Sequence, residues 1–225
     1  MRDGVFMDPI AATMRAVYDR GASSYAAATD DIGLFPGFED ELARFSRRLA
    51  SGGSLLDLGC GTGRDVDWFA AQGFRVVAGD LSYRMLELVA GRTGEALGVQ
   101  LEMTELPFGG SSFAGAWVCA SMVHLPGCLL GQALHELYRV LCPGGAVAIS
   151  MKEGRGEGWS AGKQLTEKRW FTHVCRDEFA GLLRAAGFAE VGTHPCPRPP
   201  WFVAEAVKPA RGNSRSPDRS SAVSA

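Results

Sequence analysis

The chain has 225 residues, of which 46% are hydrophobic and 21% charged, and its formal net charge is −2. These values fit one sizeable domain that needs no disulfide or metal to hold it together, and they argue against a polyanionic partner such as nucleic acid. The six cysteines form no CxxC pair and no apolar run approaches the length of a membrane span, so we expect a soluble cytoplasmic protein without a metal site.

Two helices are predicted before the first strand. Residues 8–28 follow a helical pattern that places Tyr18 and Tyr25 on one face, and residues 39–50 carry an apolar stripe. The tyrosines allow two interpretations. Either they pack on the domain, or the first helix is a lid that holds their phenol groups over a ligand.

Residues 55–65 organise the rest of the chain. Their apolar start predicts a buried strand, and Gly59, Gly61 and Gly63 follow at alternate positions before a helical pattern. Strand, glycine turn and helix bring bare backbone close to a nucleotide-like ligand at a helix N-terminus. A dinucleotide fingerprint would have its third glycine at position 64, which is Arg64, and the lysine of a P-loop is absent. Pyrophosphate and triphosphate ligands are therefore disfavoured.

Two carboxylates indicate what the ligand carries. Asp57 lies at the end of the first strand, where it would repel a phosphate and attract an ammonium group. Asp80 ends the second strand, residues 75–80, where a carboxylate can accept hydrogen bonds from both hydroxyls of a ribose. The alternative is that Asp80 only caps the next turn. A ligand with an amino-acid cation, a ribose and a flat base matches both acids.

The later elements continue the alternation of strand and helix. Ser82 is placed to cap the helix that follows the second strand. Three more strands are predicted at 99–103, 115–121 and 146–151, with a helix at 127–141 between the last two. A mobile glycine-rich loop (152–168), a short strand (169–174), a helix (177–186) and two closing strands (188–193 and 202–207) complete the series. This order predicts an α/β fold with a parallel sheet and helices on both faces.

We predict a single domain over residues 1–207. It divides into an N-terminal helical lid, residues 8–50, and a core, residues 54–207. Residues 208–225 are rich in serine, arginine and proline without an apolar period, so we expect a disordered tail.

The run Leu55-Leu56-Asp57-Leu58-Gly59-Cys60-Gly61-Thr62-Gly63 resembles motif I of the class I S-adenosylmethionine-dependent methyltransferases, here of the bacterial small-molecule type. The resemblance extends from about residue 12 to 207 and includes Asp80, residues 102–108 and residues 137–145. It implies a Rossmann-like sheet of seven strands, mostly parallel with an antiparallel last strand, and S-adenosyl-L-methionine as the cofactor.

The same resemblance implies which residues bind the methionine and ribose parts of the cofactor. Asp57 and the backbone of residues 59–63 would hold the methionine end, and Asp80 would hold the ribose. Tyr18 and Tyr25 of the proposed lid and Arg64, which follows the glycine turn, are added as candidates. The full set for the methionine and ribose parts is Tyr18, Tyr25, Asp57, Gly59, Cys60, Gly61, Gly63, Arg64 and Asp80.

The adenine and the methyl group have their own implied neighbours. Leu81 and Met85 would flank the adenine, and the segment Glu102-Met103-Thr104 would meet its edge. Ser121 and Met122, just past the fourth strand, would lie near the methyl group. For Met85 and Met103 the alternative is plain core packing.

His124 is the candidate general base. It follows the fourth strand at the carboxyl edge of the sheet, where open α/β folds place their sites. A hydroxyl acceptor needs a base to take its proton, whereas an amine can react without one. The alternative is that His124 hydrogen-bonds a loop carbonyl and braces the cofactor pocket.

The acceptor is the least defined partner. Residues 152–157 resemble a Lys-Glu-Gly-x-Gly-Glu loop of a bacterial subgroup, and Trp159, Trp170 and Phe171 suit an apolar small acceptor or a core. We expect the methyl group to be transferred to an oxygen or nitrogen of a small molecule, a class that includes secondary metabolites. We expect the protein to be a monomer or a homodimer. The alternatives are an RNA (tRNA) methyltransferase and a protein of this fold that binds the cofactor without transferring methyl.

Overall fold

The structure is a computed structural model and describes residues 8–92 and 96–210. Its helices are α1 (Pro9–Thr29), α2 (Phe38–Ser46), α3 (Arg64–Ala71), α4 (Tyr83–Ala90), α5 (Leu130–Val140) and α6 (Arg176–Ala185). Its strands are β1 (Ser54–Leu58), β2 (Arg75–Asp80), β3 (Leu97–Gln100), β4 (Phe113–Val118), β5 (Leu141–Lys152), β6 (Gly156–Ala161), β7 (Lys168–His173), β8 (Ala189–Pro195) and β9 (Trp201–Val207).

Seven of these strands pair side by side in the order β3-β2-β1-β4-β5-β9-β8. Strands β1 to β5 are parallel to one another, and β9 runs antiparallel to both β5 and β8. Parallel strands need crossover connections; α3, α4 and α5 supply three of them, and residues 101–112 cross from β3 to β4 without a helix. The predicted α/β fold, with a mostly parallel sheet and an antiparallel last strand, is confirmed.

Strands β6 and β7 form an antiparallel hairpin beside this sheet. The hairpin joins β5 through the single pair Lys152 and His173, and it raises the strand count in the described residues to nine. The prediction of a mobile loop over residues 152–168 is therefore wrong for β6. The glycines of β6 disfavour a strand, but β6 is stabilised by six residue pairs with β7. The rings of Trp159 and Trp170 also contact edge to face, with centroids 5.7 Å apart.

Helices cover both faces of the sheet. On one face Phe45 of α2, Phe69 of α3 and Trp117 of β4 form an aromatic cluster with ring centroids 5.4 to 6.2 Å apart. On the other face α5 and α6 bury an apolar stripe that includes Leu134 and Leu183. Helix α2, which the prediction groups with the lid, thus packs in the core. The division into lid and core stays a prediction.

Several boundaries differ from the predicted ones. Strand β3 ends at Gln100: the Leu101 amide makes the last hydrogen bond to β2, to the Asp80 carbonyl at 3.0 Å, and the chain then turns. Lys208, the first residue of the predicted tail, is hydrogen-bonded to the start of β5: its N–H donates to the Gly145 carbonyl at 2.8 Å. Residues 1–7 and 211–225 lie outside the described residues. Within the described ranges, no helix combines the length and apolar character that crossing a bilayer requires.

Candidate functional site

A cavity opens at the carboxyl edge of the sheet, below α1. Its volume is about 960 Å³ with the mouth included. It gathers residues from the turns after β1, β2 and β4 and from the segment after β3. Most of the predicted site residues line it, namely Tyr18, Tyr25, Gly59, Gly61, Asp80, Leu81, Met85, Glu102, Met103, Thr104, Ser121 and His124.

The turn after β1 is shaped by glycines with left-handed backbone. Gly59 has φ +77°, and a β-carbon there would lie 2.1 Å from Ser121 Cβ. Only glycine fits such a position. The amides of Gly59 and Cys60 both donate to the Gly79 carbonyl, at 2.7 and 3.1 Å, and Ser121 Oγ donates to the Leu58 carbonyl at 2.7 Å. The turn is therefore fixed against its neighbours while its backbone faces the cavity.

Asp80 both caps a turn and faces the cavity. Its Oδ2 accepts from the Gly61 amide at 2.9 Å, and its Oδ1 accepts from the Ser82 amide at 2.8 Å. Burial raises the pKa of Asp80 to about 6, although the amide hydrogen bonds act in the opposite direction. The carboxylate is thus largely ionised at neutral pH and protonated in mild acid.

Helix α1 lies across the cavity and is tied to the far side of it. Asp19 Oδ1 accepts from Ser82 Oγ at 2.6 Å and from the Arg84 amide at 3.3 Å. Tyr18 and Tyr25 stack edge to face at 5.5 Å and both line the cavity. The two interpretations of these tyrosines therefore combine, since they pack on each other while they cover the cavity.

His124 is fixed through both ring nitrogens. Its Nδ1–H donates to the Trp170 carbonyl at 2.6 Å, which leaves Nε2 as the acceptor, and Tyr18 donates its hydroxyl proton to Nε2 at 2.8 Å. Arg169 Nη1 donates in turn to the Tyr18 oxygen at 3.0 Å. Burial, together with the charges of Arg169 and Lys152, lowers the pKa of His124 to about 3. The ring is neutral near pH 7, with its lone pair on the cavity side.

The low pKa of His124 predicts an acid-sensitive contribution to stability. As pH falls through 6.5, the unfolded chain gains a proton at this residue while the folded chain stays neutral down to about pH 3. The contribution of neutral His124 to the free energy of unfolding is complete above pH 6.5 and is smaller by about 2 kcal/mol at about pH 5. We expect the free energy of unfolding of the wild type to fall by this amount relative to His124→Gln between about pH 8 and about pH 5.

Urea denaturation at a series of pH values measures this difference. The variant is the reference because the other titrating groups, Asp80 among them, are common to both proteins. A difference between wild type and variant that does not change with pH would contradict the neutral, desolvated state of His124.

A second cavity adjoins the first and shares walls with it at Tyr18, Gly59 and His124. Beyond these residues it is lined by the end of β5, by the β6–β7 hairpin and by the segment before β9. Cys60 and Arg64, predicted as cofactor contacts, line this second cavity. His124 thus stands where the two cavities meet, which is the position that a residue between cofactor and acceptor needs.

Three predicted residues line neither cavity: Asp57, Gly63 and Met122. Asp57 lies inside β1, two residues before the turn; its Oδ2 is buried without a partner among the described residues, and burial with nearby Asp65 raises its pKa. Gly63 caps α3 with φ +90°. Met122 is fully buried in the core under α5.

The prediction missed several lining residues, and some had a signal. Ala11 and Met14 lie on the face of α1 that carries Tyr18, because they precede it by seven and four residues, both helical spacings. Ala120 directly precedes Ser121 and adopts φ +53°, a strained value for a residue with a side chain. Arg169 had no such signal, because only the folding of the β6–β7 hairpin brings it to Tyr18.

Comparison with known proteins identifies relatives of this chain. Residues 56–149 match the family model of a methyltransferase domain. The chain is 31% identical to Methyltransferase GfsG of Streptomyces halstedii, over 62% of this chain and 54% of the relative. It is 38% identical to malonyl-[acyl-carrier protein] O-methyltransferase of Pseudescherichia vulneris, over 48% and 42%. The chain spans about half the length of the curated relatives it matches.

A solved structure resembles nearly the whole chain. The 1,6-didemethyltoxoflavin-N1-methyltransferase of Burkholderia thailandensis, crystallised with 1,6-didemethyltoxoflavin and S-adenosylhomocysteine, superposes with a TM-score of 0.69. It is 29% identical, and the match covers 92% of this chain and 93% of that one. The predicted Rossmann-like fold is confirmed, and these matches are to methyltransferases, as the sequence predicts.

Proposed function

We propose that the chain is a class I S-adenosylmethionine-dependent methyltransferase and that it moves a methyl group from S-adenosyl-L-methionine to an oxygen or nitrogen of a small molecule. One observation carries the proposal. The cavity at the carboxyl edge combines the glycine turn, Asp80 and the segment after β3, and a second cavity meets it at His124.

The residues of the first cavity fit this cofactor. Asp80 would accept hydrogen bonds from the ribose hydroxyls, and the bare backbone of Gly59 and Gly61 leaves room for the methionine part. Glu102 lines the cavity with a buried Oε1 that has no partner among the described residues, so it can accept from the amino group of adenine. When bound, S-adenosyl-L-methionine supplies a methyl group on a positively charged sulfur.

The chain's own residues contribute position, shielding and a proton acceptor. Alignment of the reacting atoms can supply about 7–11 kcal/mol of the barrier, and the two cavities provide that alignment. Helix α1 contributes Met14, Tyr18 and Tyr25 to the wall of the first cavity and would shield a bound cofactor from water. For a hydroxyl acceptor, His124 Nε2 would take the proton in place of the one that Tyr18 now donates. For an amine, the same nitrogen would orient the acceptor.

A small acceptor is supported by the second cavity, which is bounded by Phe35, Phe171 and Trp201. Concave pockets in which apolar walls stand beside polar groups that orient the ligand are typical of small-molecule sites. The structural relative from Burkholderia thailandensis is named for methylation of such a molecule. We also propose a cytoplasmic location, since all six cysteines are free thiols. Monomer or homodimer stays a prediction.

Two measurements test the function. Isothermal titration calorimetry with S-adenosylhomocysteine is expected to give saturable one-site binding, whereas NAD is expected not to bind. Methyl-labelled S-adenosyl-L-methionine, incubated with the protein and a metabolite extract, is expected to label a small molecule. Label in the tRNA fraction instead would favour the RNA methyltransferase, and binding without any transfer would favour a protein that only holds the cofactor.

A further inference from the structure

The second cavity contains a buried arginine without a counter-ion. Arg169 is 3% exposed and lies on β7. Its Nη1 donates to the Tyr18 hydroxyl at 3.0 Å and its Nη2 to Gln164 Oε1 at 3.4 Å, both neutral partners, and its Nε is buried without a partner. Within residues 8–92 and 96–210, no carboxylate forms an ion pair with it.

A second cation faces the same space. Lys152, at the end of β5, places Nζ 3.7 Å from the centroid of the Phe171 ring and 5.3 Å from that of Trp201. The described residues offer it no carboxylate either. Burial and the nearby Arg169 lower the pKa of Lys152, so each of the two positive charges makes the other less favourable.

The other arginines of this cavity behave differently. Arg64 is paired with Asp65 at 2.8 Å, and Arg198 is paired with Glu41 at 2.7 Å. The two other arginines are therefore neutralised, while the two cations that act on His124 have no ion pair among the described residues. A buried charge without a partner is costly, so such a pair is expected to be retained for an anion that arrives with a ligand.

The local packing is also shaped around Arg169. Gly162 follows β6, and a β-carbon at this residue would lie 1.5 Å from Arg169 Nη2. The glycine thus makes the space that the guanidinium fills. Because the guanidinium also contacts Tyr18, the partner of His124, an anion bound to it would lie beside the point where the two cavities meet.

We propose that the acceptor is a small organic carboxylate and that Arg169 and Lys152 bind its carboxylate group. The proposal rests on the proposed function and names the chemical class of its acceptor. Arginine suits this role because its planar fork of donors matches a carboxylate, while lysine adds a point charge. The carboxylate anchors the acceptor in the second cavity and so orients its reacting atom toward the first.

Matched probe pairs test this assignment. Benzoate and salicylate are compared with benzamide and salicylamide, which keep the shape and lose the charge, by ligand-observed NMR titration of the protein saturated with S-adenosylhomocysteine. We expect at least one carboxylate to bind tenfold or more tightly than its amide. This preference should fall to about twofold or less in Arg169→Gln and decrease severalfold in Lys152→Met.

Lys163→Gln is the matched control, since it removes a positive charge from an exposed residue that lines the same cavity. It should keep the preference. Equal binding of every carboxylate and its amide, no carboxylate binding, or a preference that survives in both Lys152→Met and Arg169→Gln would overturn the proposal. If Arg169→Gln no longer binds S-adenosylhomocysteine, the carboxylate preference of Lys152→Met alone decides whether the proposal holds. Failure of the wild type to bind S-adenosylhomocysteine would count against the proposed function instead.

Discussion

Replacing Asp80 with asparagine is expected to weaken the binding of S-adenosylhomocysteine by about 100-fold. Hydrogen bonds to a charged group contribute about 1.5 kcal/mol or more each, and the substitution removes the charge and replaces one acceptor oxygen with a donor. Isothermal titration calorimetry at neutral pH measures the change. Asp40→Asn on the exposed face of α2 is the matched control and should leave the affinity unchanged.

The pH dependence of the same binding provides a second criterion. Because the pKa of Asp80 is raised to about 6, its carboxylate is ionised above that pH and protonated below it. Affinity of the wild type should therefore decrease as the pH falls through about 6 and reach a plateau above it. The Asp80→Asn variant should lack this step. A step of equal size in the variant would assign the titration to another group and remove Asp80 from the ribose site.

Replacing His124 with alanine is expected to lower kcat by a factor of about 10² if the acceptor reacts through a hydroxyl, the lower end of the range that a positioned base contributes, because a pKa of about 3 makes this histidine a weak base. Affinity for S-adenosylhomocysteine should change less than tenfold, because this residue stands at the border of the cofactor cavity. Steady-state kinetics with the acceptor found in the labelling experiment measures both. His135→Ala, on the exposed face of α5, is the control.

Tyr18→Phe separates the two interpretations of His124. The variant removes the hydroxyl that occupies Nε2 but leaves the hydrogen bond from Nδ1 to the Trp170 carbonyl. If His124 is a base, Tyr18→Phe should retain much more activity than His124→Ala. Equal kcat for wild type and His124→Ala would show that this histidine only braces the pocket, or that the acceptor is an amine.

The sequence was sufficient for the order of the main elements and for much of the cofactor cavity. Apolar runs and helical periods identify β1 to β5 and their crossovers, and parallel strands with right-handed crossovers leave few alternatives for how they assemble. The positions of Gly59, Gly61 and Asp80 follow directly, because the ends of neighbouring parallel strands meet at one edge of the sheet.

What the sequence could not supply are contacts between segments far apart in the chain. The Trp170 carbonyl that orients His124 and the Arg169 guanidinium that contacts Tyr18 both come from β7. The sequence predicts a strand at residues 169–174, but the glycines of β6 favour a loop, so the pairing of β6 with β7 is not predicted. Likewise, the sequence places Asp57 at the end of β1, but only the folded chain shows that its carboxylate is buried near Asp65 and lines neither cavity.

The attachment of the β6–β7 hairpin has an evolutionary consequence. It touches the main sheet through one residue pair, yet it contributes Arg169 and the carbonyl that sets the tautomer of His124. Under the proposed function, recognition of the acceptor thus depends on this hairpin together with Lys152, while binding of the cofactor depends on the main sheet. A hairpin of different sequence in a related chain would then change the acceptor and leave the lining of the first cavity in place.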